Sequence, residues 1–137
     1  MSNAHWASVL SDIWGIQADL TRLDGEYDLN FLATASDGQG YIVKAMRPGC
    51  EEWLVDMQIR ALDHIRTVAP DLPFPAVIRA KDGSPALGLD DETGARRMVW
   101  VLERLPGRCY AEVAPKLPAL IHQIGAALGE TDKALED

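Results

Sequence analysis

A single lysine stands in a strand pattern that is otherwise apolar or aromatic, Tyr41–Met46. Because side chains alternate along a strand, Lys44 shares one face with Ile42 and Met46. A buried ammonium group must be paired or neutralised, and the phosphates of a nucleotide would meet that need. The alternative is that Lys44 faces solvent at the strand end or extends over apolar surface. The residues alone leave both interpretations open.

A glutamine follows at a spacing that could place it near this lysine. The sequence predicts a helix from Glu51 to about Arg66, with acids in its first turn, where the helix dipole favours them. We expect its inward stripe to include Gln58, whose amide oxygen is a suitable acceptor for an ammonium group. The full predicted stripe is Leu54, Gln58, Ala61, Leu62 and Ile65.

The segment Asp24–Asp28, with Gly25 as its one glycine, separates two strand patterns. Glycine and aspartate favour turns for local reasons, so this segment could be a simple hairpin connection. It could also lie over nucleotide phosphates and offer them backbone N–H groups. It matches neither a Walker loop nor a GxGxxG fingerprint.

The longest apolar strand pattern, Arg97–Leu105, stops at Pro106-Gly107. Such a strand could be a sheet edge. It could also connect to a second lobe, with the backbone at Glu103 and Leu105 free to pair with the edge of an adenine.

These residues need a scaffold, and the chain predicts one α+β domain. The predicted order is helix, three strands, helix, two or three strands, helix. Asp37-Gly38 between two apolar runs predicts a hairpin. The predicted helices are His5–Gly15, Glu51–Arg66 and Leu117–Leu128, and the predicted strands are Ile16–Leu23, Tyr27–Ala33, Tyr41–Met46, Ala76–Ala80, Pro85–Leu89 and Arg97–Leu105.

Composition narrows the class of partner. The 137 residues carry a net charge of −8, which argues against a nucleic-acid groove or an anionic membrane surface. No run approaches the ~20 apolar residues of a membrane helix, and no signal peptide is evident, so we expect a cytoplasmic protein. Cys50 and Cys109 are expected to be free thiols. Residues 1–4 are typical of an expression-tag remnant, which leaves 5–137 as the domain.

Taken together and in order, these motifs resemble the N-terminal lobe of the aminoglycoside phosphotransferase and choline kinase group, which shares the protein kinase-like fold. The motifs are Gly25–Phe31, Tyr41–Lys44, the helix with Gln58, and Val101–Gly107. The hydroxylysine kinase-like branch is the most similar, and such modules also stand at the front of long proteins with a class III aminotransferase domain. The resemblance implies a roughly five-stranded antiparallel sheet with one packed helix of the αC type, plus N- and C-terminal helices.

The resemblance also implies roles for individual residues. Lys44 would hold the α- and β-phosphates of ATP, with Gln58 where such kinases usually have a glutamate, and Glu51 as the fallback partner. Gly25, Glu26 and Tyr27 would lie over the phosphates. The adenine slot would be lined by Leu23, Leu29, Ile42 and Leu102, with the backbone of Glu103 and Leu105 against the base. Plain core packing is the alternative for those four apolar side chains.

The resemblance implies that magnesium ligands and the catalytic loop, His-Gly-Asp-x-x-x-x-Asn, come from a C-terminal lobe. No such motif occurs in this chain. We therefore expect this chain alone to be inactive, and its inner face to pack on that lobe or to self-associate weakly. Three hypotheses follow: a nucleotide-binding lobe of a small-molecule kinase acting on an amino alcohol or hydroxy amino acid, a non-catalytic kinase-like regulatory or docking module, or an unrelated α+β binding domain.

Overall fold

The computed structural model describes residues 2–136, which form a six-stranded antiparallel sheet with helices on both faces. The strand order is β1-β2-β3-β6-β4, and β5 pairs with the same strand, β6, as β4 does. The strands are β1 Ala18–Leu23, β2 Leu29–Ala35, β3 Gly40–Ala45, β4 Val77–Ile78, β5 Leu87–Asp90 and β6 Arg96–Glu103. The helices are α1 Asn3–Val9, which continues as a π-helical turn Leu10–Trp14, α2 Glu52–Val68 and α3 Pro118–Leu135, with a 3₁₀ turn at Tyr110–Glu112. The predicted α+β class is confirmed, with six strands in place of about five.

Alternation along the strands divides the apolar residues between two cores. On one face, α1 and the π-helical turn pack Trp6, Leu10 and Trp14 against Phe31 and Val43 of the central strands. On the other face, α2 packs Val55 and Ile59 against Met46 and Trp100. Strands β4 and β6 contribute side chains to both cores, and Lys44, which lies opposite Trp100, is on the α2 face.

The apolar stripe of α2 differs from the predicted one. Its buried members are Val55 and Ile59, which the prediction omitted, and Ile65, which the prediction included. Leu54, Gln58 and Ala61 are only half-buried. The two stripes are adjacent on the helix surface, and the branched side chains of Val55 and Ile59 offer more apolar area to the sheet than glutamine and alanine do.

Strand β2 begins two residues later than predicted. Tyr27 was predicted as the first residue of that strand, but it lies in the preceding loop with 68% of its surface exposed. The hairpin between β2 and β3 is confirmed: Gly38 has φ of +86°, and the Asp37 carboxylate accepts a hydrogen bond from the Gln39 N–H at 2.9 Å.

The segment assigned to a tag remnant contacts the domain where it is described, while its first residue, Met1, lies outside the described residues. The Ser2 side chain caps α1 and donates to Glu92 at 2.6 Å. The Asn3 amide donates to the Leu20 carbonyl at 2.8 Å.

Helix α3 leaves an apolar face uncovered. It runs to Leu135, a full two turns beyond the predicted end. Its contacts with the domain include a hydrogen bond between His64 and the Ala134 carbonyl. The exposed stripe recurs at spacings of four, three, four and seven residues, and consists of Leu117, Ile121, Ile124, Leu128 and Leu135. Within residues 2–136, no helix is both long and apolar enough to cross a bilayer.

A buried ion pair joins the β5–β6 turn to the end of β3. Arg97 Nε donates to Asp91 Oδ2 at 2.7 Å, and Arg97 Nη1 donates to the Met46 carbonyl at 3.1 Å. The other Asp91 oxygen accepts from the Thr93 hydroxyl and from two backbone N–H groups of its own turn. The Arg97 guanidinium, followed by the Thr93 hydroxyl, holds the pKa of Asp91 well below its ordinary value.

We predict that Asp91→Asn lowers the melting temperature far more than Asp90→Asn. Asp91 is buried with its partner, so its replacement leaves a buried guanidinium without its counter-charge. Asp90 pairs with Arg96 on the surface, where an ion pair contributes little, about 0–1 kcal/mol. Thermal unfolding of both variants measures the difference, and equal losses would contradict it.

The same pair makes stability depend on pH. Because the folded-state pKa of Asp91 is depressed, its contribution is present above the unfolded pKa of about 4 and is lost as pH falls below it. Between roughly pH 5 and pH 2, the free energy of unfolding of Asp91→Asn should therefore fall less steeply than that of the wild type.

Candidate functional site

The register of the sheet places Lys44 in a cross-strand row on the α2 face. Leu23 of β1 lies opposite Asn30 of β2, Asn30 lies opposite Lys44 of β3, and Lys44 lies opposite Trp100 of β6. Side chains of directly opposed residues project from the same face. A second row lies two residues further along each strand, on the same face of the sheet. It consists of Thr21, Leu32, Ile42, Leu102 and Val77.

Among the residues that the structure describes, the Lys44 ammonium has no anionic partner. Its Nζ lies 6.0 Å from the centroid of the Trp100 ring, at the outer limit of a cation–π contact. No carboxylate among residues 2–136 lies within 4.0 Å of it. The predicted pair with Gln58 is not formed. Nor is the fallback pair with Glu51, whose carboxylate accepts from the indole N–H of Trp53 instead.

An apolar groove of about 380 Å³ opens beside the second row. It brings together three of the predicted slot residues, Leu23, Ile42 and Leu105. Its complete lining is Leu23, Leu32, Ile42, Arg104, Leu105, Pro106, Gly107, Arg108 and Cys109. Leu102 lies next to Ile42 in the row and packs towards the α2 core.

One predicted slot residue points the other way. Leu29 is 6% exposed and belongs to the core under α1, on the opposite face from Lys44. Leu32 occupies the groove instead. Its position follows from period two once β2 is paired with β3, because Leu32 lies opposite Ile42.

In the segment that follows β6, some backbone N–H groups already have hydrogen-bond acceptors within the domain. The Glu103 N–H donates to the Ala76 carbonyl at 2.9 Å, and the Arg104 N–H donates to the Gly40 carbonyl at 3.0 Å. Among residues 2–136, no acceptor takes the Leu105 N–H, although Leu105 lines the groove. Of the two predicted backbone positions, the N–H of Leu105 is thus free for a ligand, and that of Glu103 is not.

The loop between β1 and β2 is held in place at both ends. A Cβ on Gly25 would lie 2.6 Å from the Asp28 carbonyl oxygen and 2.9 Å from Asn30 Nδ2, so the loop closes tightly only with glycine there. Asp28 Oδ1 accepts from the Arg47 N–H at 2.8 Å, which fastens the loop to the exit of β3. Glu26 and Tyr27 lie exposed on its outer side.

Positive charge concentrates at the groove of this acidic chain. Arg104 and Arg108 both line it, and neither belongs to an ion pair among residues 2–136. The same residues contain no cluster of three or more His, Cys, Asp or Glu side chains that could hold a metal ion. The arrangement therefore suits an apolar ligand that carries anionic groups.

We predict that Gly25→Ala destabilises the protein by about 1–3 kcal/mol, because the added methyl group overlaps backbone of the same loop. Gly125→Ala on α3 is the matched control. A Cβ there meets nothing within 4 Å, and the change should stabilise the helix by about 0.5–1 kcal/mol. Urea unfolding measures both, and an unchanged stability of Gly25→Ala would contradict the tight closure.

Comparison with known proteins gives a likeness of fold. No protein-family model and no curated protein matches the chain. Among solved structures, it is similar to an amicoumacin kinase in complex with AMP-PNP and Ca²⁺, with a TM-score of 0.81 and 16% identity over 98% of this chain. It is also similar to a microcompartment-associated aminopropanol kinase, with a TM-score of 0.62 and 22% identity over 80% of this chain. The chain spans 40% of the length of the first kinase and 33% of the second. It thus has the fold of a kinase-like N-terminal lobe.

Proposed function

We propose that residues 5–137 are the nucleotide-binding lobe of an ATP-dependent small-molecule phosphotransferase, and that a second lobe supplies the catalytic loop. One observation carries the proposal most directly. An ammonium group without a counter-charge, Lys44, shares a sheet face with an apolar groove that ends at the free backbone N–H of Leu105. Unpaired groups of this kind are typical of ligand sites.

The residues present fit ATP. The base would occupy the groove between Leu23, Ile42 and Leu105, with Leu102 at its inner end. The triphosphate would extend along the row to Lys44, beneath the Gly25–Tyr27 loop. When bound with magnesium, ATP supplies the transferable phosphoryl group, and a positioned cation stabilises the charge on its oxygens. In this proposal magnesium is held by the second lobe, as the sequence resemblance implies.

The finer points of the proposal rest on the sequence resemblance. They are a place in the hydroxylysine kinase-like branch, an amino alcohol or hydroxy amino acid as phosphoryl acceptor, fusion to an aminotransferase domain, and a cytoplasmic location. The acceptor would be selected by the second lobe. The two kinases with a similar fold act on small molecules according to their names, which is compatible with such an acceptor.

A non-catalytic kinase-like module that regulates or docks an attached enzyme is the second candidate. It is favoured by the lack of an acidic partner for Lys44 within residues 2–136, since active kinases of the protein kinase type pair this lysine with a glutamate. The two candidates differ in turnover by the complete protein. Phosphorylation of a hydroxyl substrate supports the first, and nucleotide binding without turnover supports the second.

The two free cysteines provide a test of the nucleotide site. Cys109 is exposed and lines the groove, whereas Cys50 packs against the α2 core. We predict that Mg-ATP slows alkylation of Cys109 by N-ethylmaleimide and leaves Cys50 unchanged, as peptide mass spectrometry would measure. Lys44→Met should raise the ATP concentration needed for protection about tenfold or more, because a charged hydrogen bond contributes about 1.5–3 kcal/mol.

Lys133→Met on the exposed side of α3 is the control and should protect Cys109 as the wild type does. If saturating ATP gave no protection of Cys109 in the wild type, the nucleotide-binding function would be wrong.

The uncovered stripe of α3 is where we place the second lobe. From Leu117 to Leu128 its apolar residues recur every three or four positions and share one face, which is the pattern of a helix that packs against a partner. We predict that the isolated chain self-associates weakly through this face, and that Ile121→Glu abolishes the association. Gln123→Glu, with the same added charge on the opposite side of α3, should leave it intact. Sedimentation velocity over a concentration series measures this, and a wild type that stays monomeric would contradict it.

A further inference from the structure

We propose that Asn30, not a residue of α2, is the side chain that positions Lys44 in the phosphate site. The inference deepens the nucleotide-binding function proposed above and rests on it. It begins from an acceptor without a donor: the side-chain oxygen Oδ1 of Asn30 is buried, and nothing in residues 2–136 donates to it. A buried acceptor without a donor is destabilising, so a donor is expected to reach it in the working protein.

Lys44 is the donor that the sheet places closest. Asn30 and Lys44 are directly opposed on β2 and β3. The Ala35 N–H donates to the Gln39 carbonyl, which sets the alternation of this ladder and makes Asn30–Lys44 a non-hydrogen-bonded pair. In such pairs the Cα atoms lie only about 4.5 Å apart and the side chains are closer than elsewhere in the ladder. A flexible ammonium side chain next to a buried carboxamide oxygen needs only a change of rotamer to donate to it.

The other neighbours of Lys44 cannot take this role as they stand. Trp100, on the β6 side, offers only the face of its ring. Glu51 is engaged with Trp53, and Gln58 lies on α2, outside the cross-strand row of Lys44. Asn30 is therefore the hydrogen-bond acceptor of the row in which Lys44 lies.

Asn30 also contacts the loop proposed to cover the phosphates. Its Nδ2 lies where a side chain on Gly25 would have to pass, so the amide fills the space under the loop. One carboxamide thus faces the loop with its nitrogen, and its oxygen is left for the lysine. Binding of a triphosphate would draw the ammonium group away from Trp100 towards the loop, where Oδ1 can accept a hydrogen bond from one of its three N–H groups.

The first experiment measures the coupling of the two residues in nucleotide binding, with ATP protection of Cys109 as the signal. Asn30→Ala should raise the ATP concentration for half protection about tenfold, and should have no further effect in a Lys44→Met background. Gln58→Ala should change it less than twofold. Wild-type affinity in Asn30→Ala would overturn the inference. So would an equal loss in both backgrounds, since that is the result of loop damage or of a water-filled site.

The second experiment needs no nucleotide. Asn30→Asp places a carboxylate beside the ammonium, and we expect it to raise the urea midpoint of unfolding in the wild-type background and not in Lys44→Met. Gln58→Glu is the matched control and should show no dependence on Lys44. If Asn30→Asp shifts the urea midpoint equally with and without Lys44, the proposed contact between residue 30 and Lys44 is wrong. If ATP fails to protect the wild type, the proposed function fails, and the urea result still decides whether Asn30 and Lys44 meet.

Discussion

The peptide unit between Met46 and Arg47 joins strand β6 to the β1–β2 loop through hydrogen bonds on both of its sides. Its carbonyl accepts from Arg97, whose charge is balanced by the buried Asp91, and its N–H donates to Asp28 of the β1–β2 loop. The unit lies where β3 ends and the chain turns towards α2. The orientation of α2 over the sheet, the position of the loop and the end of the lysine strand therefore all depend on the same plane of atoms.

Period-two and helical patterns were sufficient to predict most of the fold, because each strand and helix buries one face against a neighbour. The α+β class, the hairpin at Asp37-Gly38 and the lysine strand followed from them. The errors occurred where local pattern and tertiary packing differ. Leu29 looked suitable for the slot as an apolar strand residue, but only the pairing of β2 with β3 shows that it faces α1. The helical spacing predicted that Gln58 faces the sheet. Val55 and Ile59 pack against the sheet instead, because their side chains bury more apolar area.

In the candidate site, too, local sequence pattern predicted some residues, whereas others depend on tertiary packing. The lysine was evident because a charge in an apolar strand requires an explanation, and the Pro106-Gly107 break marked the end of β6. Asn30 gave no comparable signal, since an asparagine beside a glycine loop is ordinary turn chemistry. Its unsatisfied oxygen depends on register, on the closeness of a non-hydrogen-bonded pair and on the shape of the loop. None of these can be read from one sequence.

The fastening of the β1–β2 loop has a consequence for the thermodynamics of binding. A glycine-rich loop that becomes ordered only around its ligand loses backbone entropy at that moment, about 1–2 kcal/mol for each residue fixed. Here Gly25 is already confined by its own loop, and Asp28 is tied to Arg47. Most of that entropy is lost when the protein folds, so a ligand bound beneath the loop, as proposed above, would meet a surface that is already formed. Such a site gains affinity from rigidity, and its loop is correspondingly poor at following changes in the shape of what it covers.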